Sequence, residues 1–359
     1  MQDARPPRVS VVMAVHDGER FVGEAVDSVL AQSFRDLELI VVDDGSRDRS
    51  AEIVRARVDP RIRLLTNDRN FGLAASLNRG IAAARGEFIA RLDADDVALP
   101  ARLARQVAYM DAHPDVALAG SWHEEMSEEG VPGAQVRAPT AHWELRWHLC
   151  LYSPFAHSAV LWRRELVARE IGAYDERLAY SMDYDLWWRI STRLFVANVP
   201  EYLVRLRTHA TSMTSTYGDR TNEGLRMQAA HAARLLGWEG DEWANVDRLR
   251  RLYRMLIGAP LGRTQQELGQ DCTDVMALFE AFLREEEVPR AEAQRLWDDV
   301  RMRLGRQLLW VSRTATWRGR RGASIRLLWL VATLAPKAFL SRQAVDAGIG
   351  VAARVLRRP

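Results

Sequence analysis

Two kinds of hydrophobic pattern alternate through the first 120 residues, and that alternation restricts the fold more than any other feature. Val9–Val15, Leu37–Val42 and Glu87–Leu92 are apolar runs of strand length, with a shorter one at Arg61–Leu65 and another at Val116–Gly120. Between them, Gly18–Ser33 carries Phe21, Ala25, Val26, Val29 and Leu30 at helical spacing, and Gly72–Ala84 carries Leu73, Leu77 and Ile81. Pro100, a favoured first helical residue, opens a helix that reaches about His113. Strands joined by helices build a parallel sheet covered on both faces. In such sheets ligands bind beyond the carboxyl ends of the strands, near a topological switch point.

Two of those strand ends are acidic. Asp43-Asp44-Gly45-Ser46 closes the second strand and Asp93-Ala94-Asp95-Asp96 the fourth. Like charges this close repel and raise one another's pKa. At the mouth of an apolar strand such a cluster calls for a cation, and oxygen-only ligands favour Mg²⁺ or Mn²⁺, the ions with which proteins grip a diphosphate. For Asp93–Asp96 the plainer reading is a polar loop with a helix cap; Asp43-Asp44 either accepts from a nucleobase N–H or a ribose hydroxyl or is, more plainly, a solvated turn. Asp183-Tyr184-Asp185 opens a helix read as Asp183–Leu194. Residues two apart on a helix diverge, so one carboxylate faces a cleft and the other solvent or a cap. Asp183 is then either a general base or an N-terminal helix charge. His157 and His209 are each a metal ligand, a substrate contact or a structural histidine. Arg205, Arg207 and His209 lie close enough in sequence to hold a diphosphate together. Tryptophans are dense between Trp122 and Trp188, where they serve as sugar platforms or as core.

The 359 residues, 48% hydrophobic, suffice for one large domain or two modest ones. Cys150 and Cys272 lie far apart and outside any Cys-x-x-Cys pair, so no disulfide framework or zinc site is expected, as suits a reducing cytosol. The polar start, Met1 to Pro7, is not expected to be a signal peptide. Charge is divided unevenly. Residues 301–359 hold 12 Arg and Lys337 against one acid, Asp346, a net of +12; the chain total of +2 then leaves −10 for residues 1–300. Arginine interleaved with Leu, Trp and Val suits an interfacial segment on an anionic membrane; a solvated helical face is the plainer reading. Nucleic acid is not an expected partner, because no binding motif accompanies the charge. Leu327–Leu334, the most apolar stretch there, falls short of the roughly 20 residues a bilayer span needs. Helical periodicity dominates after Thr216, with a break expected at Gly258–Thr264, so the chain divides into residues 1–215, a helical extension at 216–300 and the basic segment at 301–359.

In order, these residues resemble the family-2 glycosyltransferases. The resemblance is carried by Val9–Gly18, Ser28–Ser33, Leu39–Ser46, Asn70–Leu73 with Asn78, and Ala90–Asp96 with Pro100, Arg102-Leu103 and Gln106. It continues at Pro154–His157, Gly172–Glu176, Asp183–Arg189 and Arg207–His209, covering about residues 9–215. It implies a GT-A fold, Rossmann-like with a mostly parallel central sheet, followed by a mainly helical C-terminal region. It also implies inverting transfer from a nucleotide-diphosphate sugar to an acceptor hydroxyl, with Mn²⁺ or Mg²⁺, in surface polysaccharide or glycolipid synthesis. Ala14, Asp43 and Asp44 would lie at the nucleobase. Asp93 and Asp95 would be the D-x-D pair on metal and diphosphate, and Asp183 the base. His209 and Arg207 would approach the metal or diphosphate, and His157 and Trp187 the acceptor. The acceptor would be a glycan or lipid-linked glycan at the cytoplasmic, inner face of the plasma membrane. The chain departs from the family at Ala14, usually Pro, at His16-Asp17, usually Tyr-Asn, and at Met182, where an acid commonly precedes the base. Met182 keeps a catalytically silent sugar-nucleotide binder open beside the enzyme, and the D-x-D pair alone also fits another nucleotide enzyme such as a nucleotidyltransferase.

Overall fold

Strand β1 (Val9–Val15) lies parallel between β2 (Leu37–Asp43) and β4 (Phe88–Arg91), and β3 (Ile62–Thr66) extends β2. The computed structural model describes residues 5–210, 223–257 and 265–317. Within them a nine-stranded sheet runs β3-β2-β1-β4-β8-β6-β9-β5, where β5 is Val97–Ala98, β6 Val116–Met126, β8 Leu161–Arg163 and β9 Phe195–Arg207. The ninth strand, β7 (Pro132–Val136), pairs with β6. Strands β1, β2 and β4 are buried along their whole length, as expected of strands covered on both faces. Helices α1 (Val22–Leu30), α2 (Ser50–Arg55), α3 (Leu73–Ala83) and α4 (Arg102–Ala112) connect the strands. Val22, Val26, Val29, Leu103, Val107 and Met110 of α1 and α4 enter one core with Val11, Met13, Leu39 and Phe88 of the sheet.

The four parallel strands share a polarity, so their carboxyl ends lie along one edge. The opposite edge holds a buried acid of another kind. Glu38, opposite Ser10 in register, accepts from Ser10 Oγ (2.7 Å), the Arg85 backbone N–H (2.9 Å) and the guanidinium groups of Arg63 and Arg85. Burial opposes ionisation of Glu38, but Ser10 and Arg85 outweigh it and hold the carboxyl below its ordinary range.

Two expectations need adjusting. The strand expected at His157–Trp162 starts later: His157–Ala159 is a 3₁₀ turn and only Leu161–Arg163 joins the sheet, antiparallel to β4 and β6. Strand β6 runs on to Met126, past Gly120, because β9 accompanies it in parallel over that whole length. The break at Gly258–Thr264 and the basic tail beyond Trp317, with its apolar Leu327–Leu334, lie outside the described residues.

By compactness the chain divides into Met1–Leu149 with Ser153–Gly224, and Cys150–Tyr152 with Leu225–Pro359. Helices α5 (His142–Leu149), α6 (Arg164–Glu170) and α7 (Met182–Ser191) complete the first unit. The described part of the second contains α9 (Glu242–Ile257), α10 (Gln265–Glu285) and α11 (Arg290–Trp317), preceded by α8 (Glu223–Leu236). Val246, Leu249, Leu252, Val275, Phe279, Phe282, Val300 and Leu304 recur at three- and four-residue spacing and are buried, and Trp297 meets the Phe279 ring edge-on at 4.8 Å. No described helix is long and apolar enough to cross a membrane.

Helix α3 can lie against β1 and β2 because Gly80 faces them. A Cβ there would sit 2.6 Å from Val12 Cγ1 and 3.2 Å from Val42 Cγ2. Gly80→Leu is therefore expected to lower stability by about 1–3 kcal/mol, despite leucine's better helix propensity. A urea midpoint that stays put or rises would contradict this close approach.

Candidate active site

The loops leaving the parallel strands carry the acids. At the end of β2, Asp44 is buried and ties three segments together. Its Oδ1 accepts from Asn67 Nδ2 (2.7 Å) and the Phe71 backbone N–H (2.9 Å), and its Oδ2 accepts from the Gly72 N–H (2.9 Å). Its own N–H donates to Val15 O, and its carbonyl lies 2.8 Å from His16 Nδ1. Asp43 Oδ1 accepts from the Ser46 N–H at 3.2 Å, closing a turn in which Gly45 has φ +67°. A side chain at position 45 would meet the Arg69 backbone at 2.5 Å, so glycine is required by both conformation and space. Ala14, buried on β1 opposite Val42, offers only its backbone to a ligand.

At the end of β4 the carboxylates crowd. Asp93 keeps 30% of its side-chain exposure; its Oδ1 takes the Arg91 guanidinium and its Oδ2 lies 2.9 Å from Ser158 Oγ. Ser158 Oγ also accepts the Asp93 N–H (2.9 Å) and bonds buried Asp96, so its single hydrogen serves one carboxylate at a time. Burial opposes charge on Asp93, but the Arg91 charge and the hydrogen bonds from Ser158 and Arg91 outweigh it and lower the pKa. Asp95 is raised by burial and by Asp93, and Asp96 well above its ordinary value by burial, Asp95 and Asp93. Asp95 Oδ2 lies 2.9 Å from Nε2 of His209, whose ring rests 4.9 Å from that of Phe21.

Helix α7 adds the fourth acid. Asp185 turns away to Arg189 (2.7 Å), one helical turn on, whereas Asp183 lies within the electrostatic reach of Asp93. Burial first, and the Asp93 charge next among the raising influences, push the Asp183 carboxyl up to about 6. Beside Asp93 stands His157, whose Nε2 is 2.9 Å from the Tyr174 hydroxyl and whose Nδ1 is 3.8 Å from Asp93 Oδ2. Burial and then the Arg91 charge push His157 down to about 3, so its ring is neutral. A hydrogen on Nδ1, toward the carboxylate, leaves Nε2 to accept from Tyr174. Asn78 of α3 holds that loop, donating to Tyr174 O (2.9 Å) and accepting from Tyr174 N–H (3.0 Å).

Two candidates are placed differently from expectation. Trp187 is fully buried, edge-on to Trp162 and His157 at about 6 Å, so it is packing beneath the site and presents no face to an acceptor. Arg207 is not available to a diphosphate either. Its side chain is 2% exposed, and it donates to Asp95 O (2.9 Å), Glu128 O (2.8 Å) and Glu24 Oε2 (2.6 Å), while its backbone N–H donates to Asp96 Oδ1 (2.8 Å). It braces the acid loop from behind. Arg205 pairs with Glu124. Sequence reasoning gave no role to Ser158, Tyr174 or Arg91. The first two carry no local signal; Arg91, a charge inside an apolar strand, does.

The donors at the β4 end suit a hard divalent ion. Asp95 and His209 place an oxygen and a nitrogen 2.9 Å apart, beside a carboxylate that already carries charge, and crowding of the acids opposes ionisation until a cation relieves it.

An α/β sheet with acidic loops gathered at its carboxyl edge defines a nucleotide-diphospho-sugar transferase architecture. The sequence profile described as Glycosyl transferase family 2 matches residues 10–152. The putative glycosyltransferase EpsE of Bacillus subtilis is 34% identical over 206 residues, 56% of this chain and 73% of its own length. The amylovoran biosynthesis glycosyltransferase AmsE of Erwinia amylovora is 31% identical over 203 residues, 55% of this chain and 75% of its own. Among solved structures, the mannosyltransferase PcManGT from Pyrobaculum calidifontis, in complex with GDP-Man and Mn²⁺, superimposes with a TM-score of 0.51 at 18% identity, over 94% of this chain and 89% of that one. The chain belongs to glycosyltransferase family 2.

The position of Asp183 has a thermodynamic consequence. A carboxyl whose folded pKa is raised stabilises the fold fully only below its unfolded value near 4, and that contribution is lost as pH climbs through about 6. In protein free of metal and donor, Asp183→Asn should match the wild type at pH 4 and exceed it at pH 7.5 by up to roughly 3 kcal/mol. Equal urea midpoints at pH 7.5 would place the carboxylate in solvent.

Proposed function

We propose that the chain moves a sugar from a nucleotide-diphosphate donor to an acceptor hydroxyl in one in-line displacement, inverting the anomeric centre, with Asp183 as the general base. What supports this reading is that Asp183, at the start of α7, is buried within electrostatic reach of Asp93, at the end of β4. Asp183 takes the hydroxyl proton while the acceptor oxygen bonds to the anomeric carbon and the bond to the diphosphate oxygen breaks. A carboxylate near pKa 6 is ionised at neutral pH and basic enough to help, worth typically ~10²–10⁴-fold. Asp95 and His209, with Asp93 beside them, are the residues to hold Mn²⁺ or Mg²⁺, which when bound offsets charge on the departing diphosphate. Neutral His157 adds no charge and, held by Tyr174, walls the pocket beside the base. The Asp43-Asp44 turn, with the Ala14 backbone, receives the nucleobase end.

The relative AmsE, named for amylovoran biosynthesis, and the basic sequence beyond Trp317 support a glycan acceptor, lipid-linked and extended at an anionic membrane surface, with the protein at the inner face of the plasma membrane. Replacing the arginines of residues 318–359 by glutamine should abolish binding to acidic vesicles and leave turnover of a soluble acceptor intact. Undiminished vesicle binding would remove the membrane from the proposal.

Turnover of UDP-, GDP- and dTDP-sugars with Mn²⁺ or Mg²⁺ tests the reaction. Asp95→Ala should lose metal-dependent donor binding in calorimetry. Asp183→Asn should keep donor binding and lose about 10²–10⁴-fold in kcat. Wild-type kcat should rise with pH through about 6 as the base ionises. Transfer by Asp183→Asn at the wild-type rate would exclude the base. Donor binding with no transfer to any acceptor would instead identify a silent sugar-nucleotide binder, the reading that apolar, buried Met182 favours.

A further inference from the structure

Arg91 is out of place for a residue of β4. Its neighbours Phe88, Ile89, Ala90 and Leu92 are all fully buried, and so is Arg91 itself, at 0% exposure. A guanidinium costs several kcal/mol to bury, and a buried ion pair is commonly no more stable than well-packed apolar side chains of similar volume. Fold stability alone therefore does not account for a charge here. The surroundings sharpen the point. Arg91 bonds the Leu92 carbonyl and the Asp93 carboxylate, yet its Nε has no partner among the described residues. Buried Arg102 donates to the Arg91 carbonyl (2.7 Å), and Arg102 is pushed down to about 9, by burial first and then by the charge of Arg91. Two buried cations side by side and an unsatisfied donor are costs that a structural filler would avoid.

We propose that Arg91 is a positioning residue of the transfer site: its guanidinium aims the Asp93 carboxylate and supplies the fixed positive charge across which the β4 acids and Asp183 are held together. The inference rests on the reading of Asp183 as base. Arg91 acts electrostatically on Asp93, His157, Tyr174 and Asp183, spanning both halves of the pocket. The groups acting on Asp183 are Asp93 and Arg91 from β4, Tyr174 from the loop before α7, and the amides of Asp183 and Tyr184 in α7 itself. Of the charged ones among the described residues, only Arg91 favours the ionised base.

The test uses Arg91→Met and Arg91→Lys in the full chain. Arg91→Met should lower kcat by roughly 10–100-fold, as loss of an orienting partner does, and move the acid limb of the kcat–pH profile to higher pH. Arg91→Lys should recover most of both. A second readout needs no activity. In metal- and donor-free protein Arg91→Met should lower the thermal midpoint, and adding Asp93→Asn or Asp183→Asn should restore part of the loss, because the uncompensated carboxylate is gone. Restoration without any transferase activity would overturn the enzymatic reading, and with it the positioning role, and leave Arg91 only as the charge that compensates the carboxylates. An unmoved acid limb with additive midpoints would overturn the inference and leave the enzyme standing.

Discussion

Mutual repulsion of carboxylates in a half-buried pocket is the constraint around which this structure is arranged. Two like charges about 6 Å apart at an effective dielectric near 20 repel by roughly 3 kcal/mol, against a total stability of about 5–15 kcal/mol for a domain. Asp93, Asp95, Asp96 and Asp183 cannot all be ionised there without compensation. The protein supplies it unequally. Asp93 receives Arg91 and Ser158, Asp95 receives His209, and Asp96 receives Ser158 and the Arg207 amide. Among the described residues Asp183 has no cation bonded to it, and burial raises its pKa.

Glu38 shows that burial alone does not make an acid reactive. It is as deeply buried as any acid of the sheet, but four donor groups converge on it from Ser10, Arg63 and Arg85, and its pKa falls. Asp183 is given backbone amides and the more distant Arg91 charge, and burial wins. A buried carboxyl is thus held below its ordinary pKa at the amino edge of the sheet and above it at the start of α7. The difference lies in how many donors the surrounding loops bring.

Much of this was legible in the chain. Apolar runs that end abruptly in Asp43-Asp44 and Asp93–Asp96 mark strand ends, because burial and solvation change there within one or two residues. The divergence of Asp183 and Asp185 follows from helix geometry alone, and Asp185 does turn to Arg189. Less legible were groups whose role depends on distant partners. Ser158 became a bridge only when a 3₁₀ turn carried it to the end of β4. Trp187 went to the core because Trp162, Phe155 and Tyr174 surround it.

The sequence by itself determined the alternation of strands and helices and the places where acids leave the sheet, since both follow from local periodicity and short-range solvation. Only the tertiary structure decided which partner each of these side chains takes. Arg207 and His209, two residues apart, looked alike as phosphate or metal contacts, yet Glu24, 183 residues from Arg207 in the chain, captures the guanidinium while His209 faces Asp95. Side-chain direction is fixed by packing and by partners that meet only after folding, and no local pattern encodes it.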